Sequence, residues 1–250
     1  MNVLALIPAR MGSSRYPGKP MAKILGKPMI GHVYERVSQS TILSMTAVAT
    51  CDREIYDYIK SIGGNAIMTA DTYERASDRC AEALLTIESE QNCIYDIVVM
   101  VQGDEPMTHP DMIAEAVKPM LADSSIKVVN LLGTIEDMSE FEDRNCIKVV
   151  CDKDSNALYF SREPIPTISK SDHKCKTKQV CIIPFSRDFL IEYTELPPTP
   201  LEEAESVDMM RVIENGFKVK MVPTKFSSHA VDVPEDLAKV EKIMSKDNFK

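Results

Sequence analysis

Three cations stand within ten residues of one another in the stretch Pro8–Pro20, as Arg10, Arg15 and Lys19 among Gly12, Ser13, Ser14 and Gly18. Directly before them runs Val3–Pro8, an apolar segment that reads as a buried strand. Small residues with Arg and Lys at the carboxyl end of a strand are the chemistry that binds phosphate, through backbone amides and charge. A solvated strand-to-helix turn is the plainer alternative. The spacing is not that of a nucleoside-triphosphatase phosphate loop: Gly12 and Gly18 lie one residue too far apart, and Pro20 stands where a magnesium-binding hydroxyl belongs. No GxGxxG follows the strand, which argues against a dehydrogenase. A second signal is Gln102-Gly103-Asp104-Glu105-Pro106, after the apolar run Ile97–Gln102. A carboxylate there points into the crevice of an open α/β sheet and can hold magnesium against a triphosphate, or it can cap a helix. The third signal, Asp232 inside Ala230–Pro234, is weak as a pattern, since an Asp before Pro-Glu-Asp is commonly structural.

The elements that must position these groups alternate from the start. Strands are expected at 3–8, 46–49, 66–69 and 97–102, and helices through Met29–Val37, at 53–62, 77–90 and 111–121. That alternation predicts a Rossmann-like, doubly wound and mostly parallel α/β sheet. Beyond it, strands at 127–132, 147–151 and 157–161 and an exposed loop at 163–179 predict a smaller mixed-sheet lobe. The lobe spans roughly 135–215 and is inserted in a single domain of 1–250.

The 250 residues carry 29 basic and 38 acidic side chains, a net charge of −9, so no broad basic face for nucleic acid is expected. The opening apolar run Val3–Ile7 is about a third of a membrane span and has no basic segment before it, so neither membrane insertion nor a signal peptide is expected. Seven cysteines are scattered without a CxxC pair, which points to a reducing, cytoplasmic compartment.

Taken together, IPAR-x-GSSR-x-PGKP at the start, GKPMI at 26–30, VQGDEP at 101–106, YFSR at 159–162, PTPLE at 198–202 and VD-x-PEDL at 231–237 resemble the 3-deoxy-manno-octulosonate (Kdo) cytidylyltransferases. The resemblance spans nearly the whole chain. It implies a homodimeric, Mg2+-dependent enzyme of cell-surface polysaccharide biosynthesis that transfers CMP from CTP to a sugar acid and releases pyrophosphate. It also implies roles for particular residues. Arg10 and Lys19 grip the triphosphate, Ser13 and Ser14 supply loop donors, and the backbone of Pro8 and Ala9 borders the cytosine. Asp71, Ser77, Arg79 and Gln102 bind the nucleotide, Asp104 and Asp232 hold the metal, and PTPLE, with Val207, Met209 and Met210 nearby, lies at the dimer interface.

The chain departs from the family pattern at several places. Arg75 and Ala76 replace a Ser and a Gly, so recognition of the base is open to change. Gln179, Ile183, Phe185 and Met209 replace a His, two Tyr and a Gln on the acceptor side. Arg162 and Glu205 remain. The acceptor site is therefore expected to comprise Arg162, Gln179, Ile183, Glu205 and Met209 and to favour a smaller or less hydroxylated acid than Kdo. Alternatives are a different acidic metabolite as acceptor, or a nucleotide-binding protein without catalysis. The retention of Arg10, Lys19, Asp104 and Asp232 argues against the last.

Overall fold

The computed structural model describes residues 1–13, 15–169 and 176–246. Val3–Ala9 is buried along its whole length, as a strand covered on both faces must be. It pairs in parallel with Met45–Thr50 on one side and Ile97–Val101 on the other. Ala66–Met68 extends the sheet beyond Met45–Thr50, and Ile182–Ser186 closes its other edge, antiparallel to Ile97–Val101. The chain thus winds outward from Val3–Ala9 in one direction and then crosses to the other. That reversal opens a crevice at the carboxyl ends of the strands, where such sheets bind ligands. Helices Met29–Ser38 and Pro110–Ala122 pack on one face and Ala76–Gln91 and Arg187–Glu195 on the other, each over its own apolar core.

The second sheet runs in the order Lys220–Pro223, Val129–Thr134, Thr177–Val180, Lys148–Cys151, Ala157–Ser161 and is mixed. The fold is the expected α/β class, with two differences in detail. Among the described residues the second sheet has as many strands as the first, five each. Its strands also reach outside 135–215 at both ends, while Ile182–Ser186, inside that range, belongs to the first sheet. The exposed loop expected to run to 179 ends earlier, because Thr177–Val180 is hydrogen-bonded between two neighbours. Cys181 is the crossing point between the sheets, and its carbonyl accepts from the Gln102 amide at 3.2 Å. Among the described residues no helix is long and apolar enough to cross a membrane, and the cysteines are free.

One ion pair fixes the underside of this core. Arg187 donates to Glu88 from Nε at 2.9 Å and from Nη2 at 2.8 Å, and the Tyr95 amide donates to the same carboxylate at 3.0 Å. Burial disfavours the charged carboxyl, but Arg187 and the amide outweigh it and hold Glu88 below the usual glutamate range. A carboxyl with a depressed folded pKa stabilises above its unfolded value and loses that contribution as pH falls through the folded one. Glu88→Gln is therefore expected to lose about 1–3 kcal/mol at pH 7. The gap to the parent should narrow in urea titrations carried below the ordinary glutamate pKa of about 4.3. A gap that stays constant into acid contradicts this.

Candidate active site

The cationic loop is shaped by its own backbone. The amides of Ser13 and Gly18 both donate to the Met11 carbonyl at 3.0 Å, and the Tyr16 amide donates to Ser13 Oγ at 3.3 Å. Gly18 closes the loop at φ +75°, a conformation that suits glycine, and leads into the short turn Lys19–Met21. The Met11 amide donates to Asp52 Oδ2 at 2.8 Å, which ties the loop to the end of the neighbouring strand. Pro8 and Ala9 are buried at the strand end and Arg10 is exposed just beyond it. Ser14 lies outside the described residues.

Gly103 permits the carboxylate loop to cross the end of the first strand: a Cβ there would lie 2.9 Å from the Pro8 carbonyl oxygen. Half-buried Gln102 and Asp104 flank that crossing. The Val231 amide donates to the Asp104 carbonyl at 3.0 Å and so brings Asp232 from the far end of the sequence to the same place. There Lys19 Nζ lies 2.6 Å from Asp104 Oδ2 and 3.8 Å from Asp232 Oδ1, and Arg15 Nη2 lies 2.9 Å from Asp232 Oδ1. Arg15 also donates from Nη1 to Asn145 Oδ1 at 2.6 Å. Burial, and then the negative charge of Asp104, push the Asp232 carboxyl above the usual range, against the pull of Lys19 and Arg15. Glu105 is buried behind them and accepts from the Ser228 hydroxyl; burial above all pushes it up to about 7.

The expected nucleotide loop takes a different form from a set of free ligand donors. Arg79 is buried and donates to Thr69 Oγ1 at 2.5 Å, to the Ala70 carbonyl at 3.2 Å and to the Tyr73 carbonyl at 3.4 Å, so it shapes the loop that displays exposed Asp71. Ser77 is buried, and its Oγ has no hydrogen-bond partner among the described residues. Arg75 pairs with Asp208 at 2.8 Å and Glu202 at 3.3 Å, and Arg211 pairs with Glu202 at 2.7 Å. In the sequence this network shows only as the departure at Arg75.

The expected acceptor set is not assembled as a pocket. Ile183, Phe185 and Met209 are 3%, 0% and 1% exposed and belong to the hydrophobic core, because their strand and helix turn those faces inward. Val207 and Met210 are core residues too and offer no interface surface. Gln179 donates to Asn130 Oδ1 at 2.6 Å within the second sheet. Arg162 and Glu205 do meet, but each occupies the other. The Arg162 amide donates to Glu205 Oε2 at 2.8 Å, and its guanidinium donates to the carbonyls of Glu205, Arg144 and Ser206 at 2.5, 2.9 and 3.2 Å. The inference of a changed acceptor loses its footing, since three of its four positions present no surface to a ligand.

The donor set at Asp104 and Asp232 fits magnesium. Two carboxylates, both partly open and sharing one ammonium, are hard oxygen ligands for an ion that commonly takes one or two protein carboxylates and completes its shell with water and phosphate. No cluster of three or more Cys, His, Asp or Glu among the described residues forms a closed metal cage. Arg15 and Lys19, drawn together at the two carboxylates, give this end of the crevice cationic donors for an anionic ligand.

A cytidylyltransferase family profile matches residues 4–224. The 3-deoxy-manno-octulosonate cytidylyltransferase of Geobacter metallireducens is 41% identical over 98% of this chain and 99% of its own. That of Trichlorobacter lovleyi is 40% identical over 98% of this chain and the whole of its own. Among solved structures, a CMP:2-keto-3-deoxy-manno-octonic acid synthetase complexed with CTP is 35% identical, covers 98% of this chain and 99% of that one, and superimposes with a TM-score of 0.89. A cytidylyltransferase from Leptospira borgpetersenii, 19% identical with a TM-score of 0.63 over 98% of this chain and 87% of that one, shares the fold. On sequence, fold and family profile alike, this chain is a nucleotidyltransferase that belongs to the 3-deoxy-manno-octulosonate cytidylyltransferase family.

Proposed function

We propose that the chain transfers the cytidylyl group of CTP to the anomeric hydroxyl of Kdo, with Mg2+, and so activates a sugar acid for cell-surface polysaccharide. The observation that carries this reading is the meeting of Lys19 with Asp104 and Asp232 at the carboxyl edge of the parallel sheet, in a chain 41% identical to a named Kdo cytidylyltransferase. The acceptor oxygen forms a bond to the α-phosphorus as its hydroxyl proton passes to solvent, the bond from that phosphorus to the bridging oxygen breaks, and pyrophosphate leaves with the electron pair. Arg10, Arg15 and Lys19 bind and neutralise the triphosphate, and Asp104 and Asp232 hold the metal. Bound Mg2+ supplies Lewis-acid stabilisation of the phosphate oxygens. Charge stabilisation and positioning are the larger part of such a displacement, which suits a site rich in cations and carboxylates. Pro8, Ala9, Ser13, Asp71, Ser77, Arg79 and Gln102 border the nucleotide. Arg79 acts there by shaping its loop, and Ser77 offers an unpaired hydroxyl.

Pyrophosphate release with Kdo and Mg2+, compared across CTP, UTP, GTP and ATP, tests the nucleotide assignment. CTP should be strongly preferred, and an equal rate with another triphosphate overturns it. The cytoplasm, where CTP is available, is the compartment that suits the reaction.

We place a twofold homodimer in solution, the commonest closed assembly. Leu201, in the helix Pro200–Glu205 that follows PTPLE's first residues, and Leu158 are exposed apolar side chains, consistent with a covered surface. Light scattering at micromolar concentration should give twice the chain mass, and a monomer mass contradicts the assembly.

A further inference from the structure

Arg15 and Asn145 are 130 residues apart in sequence, on the cationic loop and on a turn beside the second sheet, yet they meet at 2.6 Å. The turn is built to hold still. The Asn145 amide donates to Asp143 Oδ1 at 2.8 Å and the Cys146 amide to the Asp143 carbonyl at 3.2 Å. Beneath it, the fully buried Lys148 ammonium donates to the carbonyls of Asp143, Cys146 and Arg162 at 2.8, 2.7 and 2.5 Å. Arg162 adds its bond to the Arg144 carbonyl at 2.9 Å. Buried Lys148 thus gives two of its three bonds, and half-buried Arg162 one of its three, to the backbone of a short turn whose exposed side chain, Asn145, reaches the active-site loop. Arginine only donates, so the asparagine meets it through its oxygen. The other guanidinium nitrogen faces Asp232 at 2.9 Å.

We propose that Asn145 is a positioning residue for cytidylyl transfer: it holds the Arg15 guanidinium beside Asp232, in place for the phosphates of CTP. This rests on the cytidylyltransferase reading above. Arg15 is half exposed and long, and a single carboxylate contact leaves it several rotamers. A second anchor on a rigid turn selects one of them before the nucleotide arrives, and such preorganisation lowers the cost of binding and of reaching the transition state. The contact also makes the second sheet's turn part of the phosphate site, which gives Lys148 and Arg162 a role at a distance from any ligand.

The test is a double-mutant cycle on CTP binding with Mg2+, measured by titration calorimetry on the full chain, with kcat and KM for Kdo measured alongside. Asn145→Ala should weaken CTP about tenfold, the scale of a hydrogen bond to a charged group. Its melting temperature should stay unchanged, because the side chain is exposed. In an Arg15→Ala background the same substitution should cost nothing further, and Asn145→Asp, which keeps an acceptor oxygen but adds a negative charge beside the phosphates, should recover only part of the binding. Unaltered CTP affinity in Asn145→Ala, or an equal tenfold loss without Arg15, overturns the proposal. Wild-type protein that binds CTP but makes no adduct with Kdo would remove the acceptor reading and leave this cycle valid; failure to bind CTP at all would overturn both.

Discussion

Asp104→Asn should lose at least about a thousandfold in turnover while keeping its fold, because a neutral amide cannot supply the charge that a divalent ion needs at this position. The carboxylate is only partly buried, and Lys19, its ion-pair partner, keeps Asp232 at 3.8 Å, so the substitution opens no cavity and leaves the ammonium with a carboxylate beside it. Asp232→Asn should act in the same direction on turnover without loss of stability. Burial and Asp104 together disfavour the ionised Asp232. A neutral side chain relieves that repulsion, so the melting temperature without metal should hold or rise at pH 7, an instance of an active site kept at some cost to stability. Full activity in Asp104→Asn refutes the metal assignment. A lowered melting temperature in Asp232→Asn, with turnover retained, marks that residue as structural.

Lys19→Ala should reduce turnover about a hundredfold to a thousandfold, the range seen when one preorganised charge-stabilising group is removed. In the free protein its ammonium sits between two carboxylates, 2.6 and 3.8 Å away, and is itself largely buried. A triphosphate competes for the same ammonium, and the negative charge that grows on departing pyrophosphate is the stronger attraction. The loss should therefore fall more on kcat than on KM for CTP. Lys19→Arg should not restore the rate, since a planar fork does not reproduce a compact point charge set between two carboxylates. A raised KM with unchanged kcat contradicts a role in the chemical step.

The parallel core and its two ligand loops were legible because their signals are local. Val3–Pro8 and Ile97–Gln102 are continuous apolar runs that end in Arg10 and Asp104, and a buried parallel strand has no other way to look. The second half was harder for physical reasons. Thr177–Val180 and Ile182–Ser186 are short and separated by one residue, and they pair in different sheets. Side chains two apart on a strand share a face, so Ile183 and Phe185 both turn to the core when the chain switches sheets at Cys181. Alignment to a family motif said which residue types had changed there and nothing about which way they point. The matched motif at Arg162 likewise names a residue type and not its partners: the guanidinium donates to three carbonyls. The contact between Arg15 and Asn145 had no sequence signal, since 130 residues separate a common turn asparagine from its partner.

The central claim is tested most directly by incubating the full chain with CTP, Mg2+ and Kdo, beside parallel mixtures with smaller and less hydroxylated acids, and identifying the product by mass. A CMP–Kdo adduct formed in step with pyrophosphate, faster than any adduct with the other acids, is the result this account predicts. Pyrophosphate release with another acid and none with Kdo would contradict it.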